Sequence, residues 1–253
     1  MPRYEVAVAT RNPKVRYLAV NLLKRLGIEF FLCAPDDRRC DQARAIITTE
    51  TESIDFDSSR VVLGNESLDP DATAIAIMFK LLDVKGPSSI AIGIDPGMQY
   101  GLALVADGVT IYSETALSPQ TAVHDTLHWI TIVREDSRNP IQVRVGTGSK
   151  LYSTLYLRDI SAQTNGFEIE MVDERHTTRT GESDQSSAAL IATRKGRQVT
   201  DEDLLLEPKE GYIKSLKRLA TRLTEGRYKL TSAEARSVLL DEMSIADILE
   251  DAR

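Results

Sequence analysis

Apolar and polar positions follow two different periods along the first third of the chain. Four short apolar runs predict strands, at 4–10, 29–35, 43–51 and 60–64. Residues 12–27 and 69–84 instead have the period of an amphipathic helix, the second with Pro70 in its first turn. Because strands alternate with helices, we predict a small α/β domain with a largely parallel sheet. The dipeptide Gly86-Pro87 marks its end.

The rest of the chain has a different order of elements. Apolar runs at 89–95, 100–107 and 109–116 are separated only by turns, so they predict three antiparallel strands. Helices and strands then alternate, with helices predicted over 118–134, 150–164 and 184–196 and strands over 141–148 and 167–175. Further helices are predicted near 209–225, 231–239 and 244–251.

Three antiparallel strands followed by parallel strands with flanking helices is the strand order of the ribonuclease-H-like fold. We therefore predict an α/β protein with a ribonuclease-H-like mixed sheet and a smaller N-terminal α/β domain. The predicted boundaries are 1–86 for the small domain, 87–200 for the ribonuclease-H-like domain and 201–253 for a C-terminal helical extension. A fold class does not establish function, which has to be argued from a site.

The composition indicates the cellular compartment in which we expect the protein. Hydrophobic residues make up 42% of the 253 positions and charged residues 27%, which is typical of a globular protein. No apolar segment approaches the roughly 18 residues that a membrane span needs, and no signal-peptide core follows Met1. We therefore expect a cytoplasmic protein with no membrane partner. In that compartment Cys33 and Cys40 are expected to be reduced thiols.

Charge is segregated along the chain. The net charge of −7 argues against nucleic-acid binding through the whole surface. Between residues 209 and 229, however, the bases outnumber the acids, and the predicted helix carries Lys214, Lys217, Arg218 and Arg222. This helix could follow a phosphate backbone. The alternative is a solvated face opposite an apolar side of Ile213, Leu216, Leu219 and Leu223.

One carboxylate interrupts the apolar stretch "IAIGIDPGMQYGLALV" (90–105). Asp95 with Pro96 and Gly97 forms a good turn sequence, because Asp accepts from nearby backbone and Gly accepts positive φ. The spacing Asp95, Gly97, Gly101 also fits the D-x-G-x-x-x-G phosphate loop of the actin and sugar-kinase ATPases, although no second copy of the loop appears. A third interpretation makes Asp95 the first ligand of a metal site.

Acidic residues also crowd the end of a later predicted strand, in "MVDERHTTR" (171–179). Ligand sites of open α/β sheets lie at the carboxyl ends of strands. Neighbouring strand residues face opposite sides, so only one of Asp173 and Glu174 can point the way Asp95 does. The alternative is a solvated strand end in which Arg175 pairs with a carboxylate.

Asp184 opens the predicted helix "DQSSAALIATRKG" (184–196). An Asp at this place is favoured by helix capping alone. A stripe of small residues follows it, at Ser187, Ala188 and Ala192. Such a stripe lets a helix lie close to a sheet, which would bring Asp184 near the strand ends.

At these three places the sequence resembles the RuvC-type Holliday-junction resolvases and their YqgF-type relatives in the ribonuclease-H-like superfamily. "IGIDPGMQYGLALV" is similar to their opening strand, "VDERHTTR" to the D-E-R-x-[ST]-[ST] segment, and "DQSSAALIA" to their late Asp followed by Ala-Ala. The resemblance covers about 89–195. It implies that Asp95, Glu174 and Asp184 are catalytic metal ligands.

The chemistry of such a site explains the residue types. Phosphodiester hydrolysis by two Mg²⁺ ions, with Mn²⁺ as a substitute, needs hard oxygen ligands and no His or Cys. The implied partner is nucleic acid, either branched DNA or structured RNA, and the resolvases act as homodimers. Residues that we expect to hold phosphates are Arg175, Arg179, Thr147, Ser149, Lys214, Lys217, Arg218 and Arg222. Arg194, Lys195 and Arg197 would extend this cationic rim.

One departure from the resolvase pattern leaves a second function open. The resolvases carry a glutamate at the end of the strand after the first helix, whereas this strand ends "RVGTGSK" (144–150), as in the YqgF type. Only Glu182, two residues before Asp184, could compensate. The alternative is a catalytically inactive nucleic-acid-binding or scaffold protein of the same fold. An actin/sugar-kinase-type ATP-binding protein is the third alternative.

Two smaller features have competing interpretations. In "VGTGSK" (145–150) the backbone N–H groups before a helix could hold a phosphate, or the segment is a plain turn. His124 and His128 lie one helical turn apart, as in a zinc helix, but the Glu and third ligand of that motif are missing. Trp129 beside them suggests packing on the sheet instead. His176, next to the D-E-R segment, is a candidate proton carrier or phosphate contact.

Overall fold

The computed structural model describes residues 5–54, 56–134, 139–163, 166–173 and 184–250. The chain divides into two compact units, Met1–Pro87 and Ser88–Arg253, and the residues from 201 onward belong to the second. Each unit combines helices with a sheet, so the predicted α/β class is confirmed. Within the described ranges, no helix has the length and apolar character needed to cross a membrane.

The first unit is built on a four-stranded parallel sheet with the order β2-β1-β3-β4. Its elements are β1 (Val6–Ala9), α1 (Pro13–Leu26), β2 (Phe30–Cys33), β3 (Ala45–Thr48), β4 (Val61–Leu63) and α2 (Pro70–Leu81). The side chain of Asn12 accepts from the first N–H groups of α1, and Gly27 ends that helix with φ +67°. Residues of β1, β3 and both helices form one core cluster.

The two cysteines form a disulfide, so the expectation of reduced thiols is wrong. Cys33 ends β2, and a 3₁₀ turn at Arg38–Gln42 brings the Cα atom of Cys40 to 6.5 Å from that of Cys33. This distance lies in the range that a disulfide bridges. Both side chains are buried against β1 and β3. The expectation considered only the compartment and not the turn that closes this short loop.

The second unit contains a six-stranded sheet with the order β10-β9-β8-β5-β6-β7. Its strands are β5 (Ile90–Pro96), β6 (Tyr100–Ala106), β7 (Val109–Ala116), β8 (Ile141–Gly146), β9 (Phe167–Val172) and β10 (Arg197–Gln198). β5, β6 and β7 are antiparallel, β8 is parallel to β5, and β9 is parallel to β8. The two-residue strand β10 pairs antiparallel with β9 and was not predicted.

Helices cover both faces of this sheet. The helices described in this unit are α3 (Pro119–Val133), α4 (Lys150–Ser161), α5 (Asp184–Thr193), α6 (Asp201–Leu204), α7 (Glu210–Leu223), α8 (Ser232–Leu239) and α9 (Ile245–Glu250). Neighbouring residues of β6 show the two faces, because the Tyr100 ring contacts the rings of Tyr152 and Tyr156 on α4 whereas Gly101 contacts α5. α3 and α4 therefore lie on one face and α5 on the other.

The aromatic contact of Trp129 and the guanidinium of Arg158 hold the helices of the first face. Trp129 of α3 is buried with its ring 5.2 Å from that of Tyr112, so the predicted packing on the sheet is confirmed. The guanidinium of Arg158 on α4 donates to the carbonyl oxygens of Leu204, Val238 and Leu239. These bonds satisfy carbonyl groups at the end of α8, and they fix the C-terminal helices to α4.

Candidate functional site

The carboxyl end of β5 defines one edge of the six-stranded sheet, which we call the site edge. The strand register places five segments there. They are the turn at 97–99, the residues after β7 at 117–118, the loop at 147–149, Asp173 after β9, and the start of α5 at Asp184. Asp95, Thr147, Ser149 and Asp173 therefore lie at strand ends that come together, and Asp184 opens a helix beside them.

Asp95 and Asp184 lie on the same face of the sheet at this edge. Asp95 is paired directly with Gly101 across the antiparallel β5–β6 ladder. Residues opposed in this way point to the same face, with Cβ atoms about 5 Å apart. A Cβ atom added at Gly101 would overlap the carbonyl group of Asp184 and lie 3.0 Å from the Asp184 Cβ atom. The first residue of α5 therefore covers the position next to Asp95.

Two glycines allow α5 to approach so closely. A Cβ atom at Gly93 would stand 2.6 Å from the backbone nitrogen of Ala192 and 2.8 Å from its Cβ atom. Gly93 and Gly101 are thus contact points for the helix backbone. The prediction that the small residues of α5 let it lie close to the sheet is confirmed, and the glycines of β5 and β6 are the complementary signal in the strands.

The helix contact also bears on the phosphate-loop interpretation. A phosphate loop of the D-x-G-x-x-x-G type keeps its glycines free so that a nucleotide can approach the backbone. The space over Gly101 is filled by the main chain of Asp184. Close packing of α5 is therefore sufficient to explain this glycine without a nucleotide.

The end of β8 carries no acid beside Asp95. Ile94 is in register with Val145, so Gly146 is the lateral neighbour of Asp95. The next backbone N–H, that of Thr147, donates to Val172 O at 3.0 Å and is not available to a phosphate. Ser149 precedes α4 and accepts at its carbonyl oxygen from Ser153, while its own side chain caps no N–H.

Several of the predicted site residues lie outside the described residues. These are Glu174, Arg175, His176, Arg179 and Glu182. Asp173, the last described residue before them, is exposed just beyond β9. In the part of the chain that the structure describes, no three His, Cys, Asp or Glu side chains stand close enough together to hold a metal ion. Asp95 and Asp184 carry carboxylate oxygens, which are the kind of donor that Mg²⁺ prefers.

The basic helix α7 reaches the site edge from the other face. The guanidinium of Arg222 donates to the carbonyl oxygen of Leu117, directly after β7. The Tyr152 hydroxyl lies 3.5 Å from the sulfur of Met98 at the tip of the β5–β6 turn. Burial raises the pKa of Tyr152, whereas a hydrogen bond from Ser215 and the charges of Arg222 and Arg218 act in the opposite direction. α7 is therefore packed beside the turn that follows Asp95.

The cations of α7 and of the expected rim differ in their availability. Lys214 and Arg218 are exposed, whereas Lys217 donates to the Ser232 hydroxyl at 2.8 Å and links α7 to α8. Arg197 forms a two-point ion pair with Asp203, with N···O distances of 2.6 and 2.7 Å. Lys214 and Arg218 are therefore better placed than Lys217 or Arg197 to contact a phosphate.

The histidine pair belongs to a different place. The rings of His124 and His128 stack with their centroids 6.2 Å apart. They line a cavity of about 680 Å³ together with Asp159 of α4 and residues 244 and 246 near the C terminus. Asp159 accepts from Gln120 at 3.1 Å, and burial raises the pKa of its carboxyl group.

The second unit is thus an α/β structure in which two carboxylates and a basic helix meet at one edge of a mixed sheet. No family model, no curated protein and no solved structure matches the chain. The site edge therefore has to be interpreted from its own geometry.

Proposed function

We propose that the second unit is a Mg²⁺-dependent phosphodiesterase of the ribonuclease-H-like fold, acting on structured nucleic acid such as branched DNA or structured RNA. The observation that carries this proposal is the contact between Asp184 and Gly101, which puts a second carboxylate beside Asp95. The strand order, with three antiparallel strands followed by two parallel ones, supports the fold.

Each group of residues has a role in the proposed reaction. Asp95, Asp184 and Glu174 would hold the metal, and Glu174 is two residues beyond Val172, which is level with Gly146 beside Asp95. Bound Mg²⁺, or Mn²⁺ in its place, supplies an activated water and stabilises the leaving oxygen.

Cations of the chain position the substrate. The exposed Lys214 and Arg218 of α7 would hold phosphates on one side of the site edge. We assign the same role to Arg175 and Arg179, which follow Glu174 in the sequence. A four-way junction has two equivalent strands to cleave, so on this substrate the protein would act as a homodimer.

A second candidate function is supported by Gly146. Because of this glycine, the strand next to Asp95 contributes no carboxylate at the place where the resolvases carry a glutamate. In this alternative the unit keeps the nucleic-acid-binding edge but does not cleave, and it acts as a binding or scaffold protein.

Metal titration by calorimetry, combined with cleavage assays, separates these functions. We expect Mn²⁺ binding in the native protein and its loss in both Asp95→Asn and Asp184→Asn. Glu168→Gln, an exposed acid of β9 that contacts Gln142, is the matched control and should bind metal normally. The cleavage substrates are a four-way DNA junction, single-stranded DNA and an RNA hairpin.

Each outcome points to one function. If the native protein cleaves one of these substrates, and the Asp→Asn variants lose both metal binding and cleavage, the result supports the phosphodiesterase. Nucleic-acid binding without metal binding supports the scaffold protein. Thermal stabilisation by ATP alone would favour the third alternative, an actin/sugar-kinase-type ATP-binding protein. A protein that binds neither metal nor nucleic acid would contradict both of the first two.

A further inference from the structure

Two exposed apolar side chains stand at the site edge among polar and charged residues. Met98, at the tip of the β5–β6 turn, is 37% exposed, and Leu117, directly after β7, is 54% exposed. Tyr100 is paired with Ala116 across the β6–β7 ladder. Met98, just before Tyr100, and Leu117, just after Ala116, therefore border the same end of β6. Met98 is three positions from Asp95 and belongs to the same hairpin.

Both residues are contacted by helices on the face of the sheet opposite α5, Met98 by α4 and Leu117 by α7. Met98 rests on the hydroxyl of Tyr152, whose side chain is almost fully buried. The main chain of Leu117 is held by the guanidinium of Arg222. Because each contact comes from a packed helix, the side chain of Met98 and the main chain of Leu117 are held at defined positions at the site edge.

The charges around this apolar pair indicate the kind of partner that it would contact. Arg222 supplies the Leu117 contact, and Arg218, one turn earlier on α7, is exposed near Tyr152. Lys214 continues the same row. In a chain with a net charge of −7, such a local cationic row favours a polyanion over an ordinary protein surface. Apolar side chains beside phosphate-binding cations fit nucleic acid, whose bases offer apolar faces between charged backbones.

We propose that Met98 and Leu117 form an apolar wedge that contacts unstacked bases, so that the site edge selects branch points and loops over continuous duplex. In a duplex the base faces are covered by their neighbours, and exposing them costs the free energy of stacking and pairing. At a junction, bulge or loop this cost is already reduced. The inference rests on the proposed function and adds to it a determinant of substrate choice.

The test compares binding of two nucleic-acid shapes by matched variants. The wedge variants are Met98→Ala, Leu117→Ala and the double variant. Met243→Ala and Leu240→Ala are the controls, because these residues are of the same type and are 37% and 52% exposed, but lie between α8 and α9. Each protein is titrated with a four-way junction, an RNA hairpin and a continuous duplex of equal length, with metal omitted.

We expect the native protein and the control variants to bind the junction or the hairpin more tightly than the duplex. The double wedge variant should lose roughly tenfold of this preference, about 1.4 kcal/mol, with duplex affinity unchanged, because only the contact with unstacked bases is removed. A 2-aminopurine base at the branch point should show a fluorescence change on binding that the double variant lacks.

The outcomes distinguish the wedge from the function on which it rests. If the double variant keeps the native preference, the wedge is wrong while nucleic-acid binding stands. If the native protein binds none of the three nucleic acids, the proposed function fails and the wedge with it. Equal loss of affinity for all shapes in the double variant would show a general contact and would also overturn the selective role. Thermal unfolding of each variant confirms that it is folded.

Discussion

The carbonyl group of Asp184 occupies the position that a Cβ atom on Gly101 would take. This contact determines where α5 begins on the sheet, and it determines which face of β6 the helix covers. Since Gly101 is the ladder partner of Asp95, the same contact brings together two acids that are far apart in the sequence.

The first prediction concerns this contact. Gly101→Ala should lower the free energy of unfolding by roughly 1–3 kcal/mol, because the added methyl group meets main chain that cannot rotate away. Gly211→Ala in α7 is the control, since a Cβ atom there meets nothing within 4 Å and a helical Gly→Ala change is neutral or stabilising. Urea unfolding of both variants measures the difference, and equal stability would contradict the contact.

The second prediction concerns the disulfide of the first unit. Closing the loop between Cys33 and Cys40, seven positions apart, restricts the unfolded chain and stabilises the fold by about 2.5 kcal/mol in the chain-entropy model. Dithiothreitol should therefore lower the unfolding midpoint of the native protein. The double variant Cys33→Ser/Cys40→Ser should not respond to it. Alkylation followed by mass spectrometry reports the state of the cysteines directly, and two alkylated thiols without reductant would contradict the bridge.

The third prediction concerns the pH dependence that Asp203 imposes. Hydrogen bonds from Arg197 lower the pKa of Asp203 well below the value of about 3.9 expected in the unfolded chain. The unfolded state therefore binds more protons as the pH falls, and the stabilisation present at neutral pH is lost between about pH 5 and pH 2. Because Arg197 is half-exposed, we expect Asp203→Asn to cost only about 1–2 kcal/mol at pH 7.

Unfolding of native protein and Asp203→Asn at several pH values checks this. The difference between the two curves should shrink as the pH falls below about 4, because protons then bind Asp203 in the unfolded chain while the carboxylate of the folded protein stays charged to lower pH. A constant difference down to pH 2 would show that the contribution of Asp203 is not that of its charge.

The fourth prediction concerns Asp159, which should make stability change with pH in the direction opposite to that of Asp203. Burial raises the pKa of Asp159, and the nearby acids Asp241 and Asp247 act in the same direction, while Gln120 and Arg158 oppose them. The folded state therefore binds more protons than the unfolded state, and stability falls as the pH rises from about 4 through the raised pKa. Asp159→Asn should raise the thermal midpoint at pH 7 and have little effect at pH 3. A lower midpoint at pH 7 would show that the charged carboxylate has a stabilising partner.

Local patterns in the sequence predicted most of the helices and strands. The features that they missed are very short elements and a contact that depends on a turn. The helical period and the Asn12 and Gly27 positions predicted a helix over 12–27, which the structure has as Pro13–Leu26. β10 and α6, with two and four residues, are too short to show any period. The disulfide depends on a turn that no periodicity reports.

The candidate site, likewise, could be predicted only in part from the sequence, because its contacts join residues far apart in the chain. The small residues of α5 indicated close packing, but only the strand register shows that Gly101 receives the helix and stands opposite Asp95. The contact between Arg222 and Leu117 joins positions 105 apart, so the sequence could suggest a basic helix but not its location. Pairings of this kind are set by tertiary packing and leave no local pattern.

The β5–β6 hairpin is held from both sides, by α5 at Gly101 and by Tyr152 at Met98. A ligand that shifts the hairpin from one face therefore alters the position of the groups on the other. Under the proposed function, a ligand near α7 that changed the cation affinity at Asp95 and Asp184 would have its own affinity changed by the same factor when the cation binds. This short turn would then link occupancy of the two faces in one equilibrium.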